Sequence, residues 1–78
     1  MKDNFEEKTG ILREEMIEVK GGKIPIRLNA ARDADSSIFY FVDIDGIEWF
    51  TTDNSTHATV MFTMMFEHIT EYMHYEKL

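Results

Sequence analysis

Apolar and polar residues alternate along two stretches of this chain and then switch to a helical rhythm, which predicts the order of its elements. From Glu15 to Leu28, branched residues flank the Gly21-Gly22 pair, the arrangement of a hairpin closed by a two-residue primed turn. That turn sets Val19 opposite Ile24 and Ile17 opposite Ile26, with Leu28 on the same apolar face and Glu18, Pro25 and Arg27 on the other. Pro25 lacks the N–H that a ladder uses, so its strand is expected at a sheet edge or at a bulge.

A second hairpin is predicted where Ile38 to Ile44 and Ile47 to Thr51 flank Asp45-Gly46, a strong short turn signal. Its register pairs Tyr40 with Thr51, Val42 with Trp49 and Ile44 with Ile47, so Trp49 is expected in the core. Phe39, Phe41 and Phe50 then fall on the reverse side with Asp43 and Glu48. A sheet with one wet face alternates cleanly, so these aromatics require a cover, either the N-terminal segment or another chain.

The period changes after Asp53-Asn54-Ser55-Thr56, a run of preferred N-cap residues, and a helix is predicted from there to about Tyr75. Ala58, Met61, Phe62, Met65, Ile69, Tyr72 and Met73 form the stripe expected to pack on the sheet. Val60, Met64 and Phe66 lie outside the centre of that stripe, which leaves the first half of the helix apolar nearly all round. Residues 1–14 read as a short helix or an arm, since Asn4 with Glu7 suits a helix start and Gly10 a stop. The fold class expected is α+β: one domain, a four-stranded antiparallel sheet from two hairpins, and a C-terminal helix packed on one face.

Composition narrows the setting. With 78 residues a single core is small, and without cysteine neither disulfides nor a Cys-based zinc site can reinforce it. Stability must come from packing of a chain that is 44% hydrophobic and carries six Phe and six Met. The charged N-terminus and the lack of a long apolar run predict a chain that is neither exported nor membrane-inserted, in a reducing compartment such as the cytoplasm.

Charge changes the picture more. A net charge of -7 argues against direct contact with nucleic acid or an anionic membrane, and predicts a basic partner. The stretch from Lys20 to Arg32 holds Lys20, Lys23, Arg27 and Arg32 and no acid. From Asp33 to Glu76 the order reverses: Asp33, Asp35, Asp43, Asp45, Glu48, Asp53, Glu67, Glu71 and Glu76, with no Lys or Arg among them.

Candidate chemistry is sparse. Asp43 to Glu48 resembles part of a calcium loop, but with Gly46 at position six, position one is Phe41 and position twelve is Thr52, so a hairpin turn explains it better. Glu67, His68, Glu71 and His74 include a Glu-x-x-His spacing, yet such a site draws on four helices and this chain supplies one. His57 has no carboxylate or nucleophile beside it, and Ser36, Ser37 and Ser55 occupy turn and cap positions. No Cys nucleophile, phosphate loop or nucleophile elbow is present, so no catalytic residue, metal or cofactor is expected.

The cation-free tract from Asp33 to Glu76, on short antiparallel strands followed by a helix, resembles the small acidic phage-encoded inhibitors of bacterial defence, including anti-CRISPR proteins and nucleic-acid mimics. That resemblance implies inhibition of a nucleic-acid-binding protein or nuclease by occupying its groove. The layout Ile38 to Thr51 and then Ser55 to Tyr75 also resembles antitoxins that neutralise a basic toxic nuclease. The expectation is therefore a non-enzymatic inhibitor of a basic protein. Asp33, Asp35, Asp43, Asp45, Glu48 and Asp53 would capture the partner, and Phe39 and Phe41 would anchor it. The alternative is a homo-oligomeric assembly protein, a dimer in the simplest case, that buries its surplus apolar surface against itself.

Overall fold

The computed structural model describes residues 9–69. They form strands β1 (Gly10–Val19), β2 (Gly22–Arg32), β3 (Ile38–Ile44) and β4 (Ile47–Thr52), followed by helix α1 (Ser55–Glu67). The strands make one antiparallel sheet in the order β1-β2-β3-β4, and α1 packs against β2, β3 and β4. The expected α+β architecture is the observed one. Among the described residues, no helix is long and apolar enough to cross a membrane.

Each hairpin departs from its expected register, with different consequences. In the first, the loop is Lys20-Gly21, with Gly21 at φ 100, and Gly22 already pairs with Val19. Ile17 therefore faces Ile24, and Glu15 faces Ile26. The slip is two residues, and because side chains alternate with period two, Ile17, Val19, Ile24, Ile26 and Leu28 all keep the core face. Strand β1 also starts earlier than expected: Gly10 to Glu14 pair along β2, so a helix there is ruled out, and residues 1–8 lie outside the described region. A bulge between Ile11 and Arg13 breaks the alternation that would have revealed this extension.

In the second hairpin the turn is as predicted: Asp45 (φ 55) and Gly46 (φ 84) take the two left-handed positions of a primed turn, and Ile44 pairs with Ile47. A bulge then intervenes. Asp43 pairs with Glu48 but Val42 pairs with Phe50, so Trp49 is the extra residue. The expectation for this strand is corrected: Trp49 is 43% exposed and Phe50 packs against the core.

Pro25 is corrected too, because β2 is an interior strand and the bulge lies elsewhere. The Pro25 carbonyl accepts from Asp45 N at 2.8 Å, and a strand residue's N and O point to the same side. The missing donor therefore points beyond the end of β3, where no ladder bond is lost.

Helix α1 begins where Asn54, in extended conformation, accepts from His57 N at 2.8 Å through its side chain. Ala58, Phe62 and Met65 form its buried stripe, and Ile69, just past the C-cap at His68, is buried with them in the core that Ile26, Leu28, Val42 and Ile44 of the sheet complete. Met61 and Phe66 border it, as half-buried side chains. Tyr72 and Met73 of the expected stripe, and the expected helix end near Tyr75, lie outside the described residues. Each fully buried aliphatic or aromatic side chain contributes about 1.5–3 kcal/mol, so this one-sided core supplies most of the stability.

Candidate functional site

Because α1 covers one face, the cross-strand pairs arrange the opposite face in rows. Ile11, Asn29, Phe41 and Thr51 form one row, and Glu14, Arg27, Asp43 and Glu48 form the next. Beyond the first row lie Ala31 and Phe39, and beyond the second lie Met16 with Pro25 and Glu18 with Lys23. Phe39 and Phe41 are neighbours, with ring centroids 6.0 Å apart and both rings half-buried.

The charged row is organised around Arg27. Its Nε donates to Glu14 Oε2 at 2.6 Å, and its Nη1 lies 3.8 Å from Asp43 Oδ1. Asp43 Oδ2 accepts from Asn29 Nδ2 at 2.8 Å, whereas Oδ1 is buried without a hydrogen bond. Thr51 donates its hydroxyl to Glu48 Oε2. The like-charge pair Asp43–Glu48 expected from the turn is present, and Arg27 and Asn29 relieve the Asp43 side of it. Lys23 similarly faces Glu18 at 3.7 Å.

The structure brings together only some of the residues singled out from the sequence. Phe39, Phe41, Asp43 and Glu48 share the open face. Asp33, Asp35 and Asp53 sit at the end of the sheet where β2 passes into β3 and β4 ends, and Asp45 is at the opposite end, in the β3–β4 turn. Asp33 is also a turn-former, since its Oδ1 accepts from Asp35 N at 2.9 Å and Ser37 N at 3.0 Å. Asp43 is tied to its own sheet. The solvent-exposed carboxylates on this half are Asp33, Asp35, Asp45, Glu48, Asp53 and Glu67. Glu71 and His74, weighed as metal ligands, lie outside the described residues.

Sequence reasoning missed a lateral division of charge. In an up-and-down sheet, distance along the chain becomes distance across the sheet, so the uneven charge of the sequence becomes a division between two sides. The described cations Arg13, Lys20, Lys23, Arg27 and Arg32 all belong to β1, β2 and their turn. Strands β3 and β4 and helix α1 carry acids and no Lys or Arg.

The same side exposes apolar residues that the alternation placed elsewhere or left unassigned: Ile47 (53%), Trp49 (43%), Val60 (48%) and Met64 (44%). His57 meets Phe50 of β4 edge-on, with centroids 5.0 Å apart, so the flank of α1 carrying His57, Met61 and Met64 borders β4. Comparison of the chain with protein-family models, curated proteins and solved structures finds no match.

Proposed function

We propose that this chain is a non-enzymatic binding protein that captures a basic protein partner on the side formed by β3, β4 and α1. The observation that carries the reading is that β3, β4 and α1 themselves contribute no Lys or Arg, although Arg13 of β1 reaches the Phe62 ring, while Asp45, Glu48, Asp53 and Glu67 are exposed on that side. A surface of one sign attracts its complement at long range and fixes orientation more than it adds affinity. Nucleic-acid-binding proteins and nucleases present the required Lys- and Arg-lined grooves, so occupying such a groove would inhibit them. The acids lie at both ends and along the edge of the sheet, which suits capture by a broad negative side better than phosphate-by-phosphate imitation of a nucleic acid.

Capture from lysate with the parent chain and with a variant carrying Asp45→Asn, Glu48→Gln and Glu67→Gln tests the reading. The parent is expected to retain Lys- and Arg-rich proteins and to release them as salt rises past physiological strength, where screening acts within about 8 Å. The variant should retain few of them. Equal retention, or release indifferent to salt, would remove the proposal.

A second reading has its own observation. Ile11 and Phe41 in the first row, with neighbouring Phe39 and Met16, leave the open face more apolar than a wet face of an antiparallel sheet. Self-association through that face would cover it. Sedimentation at micromolar concentration is expected to give a dimer mass that falls to the monomer on Phe41→Ser, and a monomeric parent sinks this reading.

A further inference from the structure

We infer that the exposed apolar strip formed by Ile47 and Trp49 on β4 and Val60 and Met64 on α1 is the docking strip for a protein segment in which cationic and apolar residues are interleaved. This deepens the proposed capture of a basic partner, and rests on that reading. Three observations converge. The strip is assembled from two packed elements, because the His57–Phe50 contact sets one flank of α1 against β4. Residues at spacings of three and four repeat along that flank, so Val60 and Met64 continue the apolar surface along the helix, away from its buried stripe. The bulge adds the third: it releases Trp49 from the paired ladder while sending Phe50 into the core, which puts the one Trp of the chain on the surface at the outer strand. Trp and Met are the side chains that bind well at protein contacts, one by large rigid area and the other by adaptability.

The surroundings choose the occupant. The charged Asp, Glu, Lys and Arg residues of the elements that carry the strip and of their connecting turns are all acidic: Asp45 in the β3–β4 turn, Glu48 in β4, Asp53 just after it and Glu67 at the end of α1. A partner that is only apolar would bring no charge opposite in sign to this rim, and one that is only cationic would leave the strip wet. A second copy of this chain is a poor occupant: its own strip is equally acidic, and Arg13, Lys23 and Arg27 are already engaged by Glu15, Glu18, and Glu14 with Asp43. The segment that satisfies both features carries Lys or Arg toward the rim and Val, Leu or Ile toward Trp49 and Met64. The outer edge of β4, which among the described residues pairs only with β3, gives an extended segment backbone partners as well.

Two synthetic peptides of equal net charge separate the contributions, one alternating Lys with Val and the other alternating Lys with Ser. Trp49 is the internal reporter. The Lys-Val peptide is expected to bind about tenfold more tightly than Lys-Ser and to move the tryptophan emission to shorter wavelength. Ile47→Ser and Met64→Ser should each weaken the Lys-Val peptide several-fold and leave Lys-Ser binding unchanged. Equal affinity of the two peptides, or Lys-Val binding with no emission shift, overturns the docking strip while the acidic-side reading stands. Binding of neither peptide at low salt overturns both.

Discussion

Replacing Phe62 with Ala is expected to abolish most of the cooperative unfolding transition. Phe62 is 1% exposed at the centre of the α1 stripe, and its ring stacks on Phe66 at 6.5 Å. Arg13 of β1 also lies over the ring, 4.9 Å from the centroid. The side chain therefore joins the helix to the far strand as well as filling the core. Truncating a buried Phe to Ala costs about 3–5 kcal/mol through lost transfer energy and an unfilled cavity. A domain of this length commands about 4–12 kcal/mol in all, at 0.05–0.15 kcal/mol per residue. Urea unfolding followed by far-ultraviolet circular dichroism measures the loss. A decrease below about 1 kcal/mol would mean that the helix does not close the core through this residue.

The second large effect is expected at Arg27. Changing it to Met removes the cation between Glu14 and Asp43 and leaves a row of three acids with nothing of opposite sign among them. The cost depends on exposure. Breaking a fully buried pair costs about 3–5 kcal/mol, and an exposed one at most about 1 kcal/mol. Arg27 is about one third exposed, but the Asp43 side chain is only 13% exposed and keeps an oxygen without a hydrogen bond. The expected loss is therefore intermediate, about 2 kcal/mol. Adding Asp43→Asn to the Met variant should restore about half or more of it, because the stranded charge is gone and the neutral amide can still accept from Asn29. A single variant within about 0.5 kcal/mol of the parent, or no recovery in the double variant, would show that the row is surface decoration.

These two residues mark the limits of what pattern alone can deliver. The α1 stripe was legible because a 3.6-residue period survives without knowing what the helix packs against, and Ala58, Phe62 and Met65 are buried as that period requires. The core side of the first hairpin was legible for a similar reason, since its two-residue slip left the faces unchanged. Trp49 was not. A bulge moves a strand by one residue, one residue exchanges the faces, and no turn signal at Asp45-Gly46 forecasts an irregularity further along β4. The expected aromatic surface was therefore right for Phe39 and Phe41 and wrong for Phe50.

The acids divide in the same way. Local sequence determined that Asp43 would face Glu48, because that pairing follows from a turn a few residues away in the chain, whereas the turn-forming contacts of Asp33 emerged only in the structure. Which carboxylates remain for a partner was decided only by tertiary pairing. Arg27 and Asn29 reach Asp43 across from β2, sixteen and fourteen residues back in the chain, and hold it within the sheet. By itself the sequence determined the α+β class, the Asp45-Gly46 turn, the helix stripe and an uneven distribution of charge. Only the order of strands converted that distribution into two sides of one molecule, since neighbours across a sheet are set by long-range pairing and not by proximity in the chain.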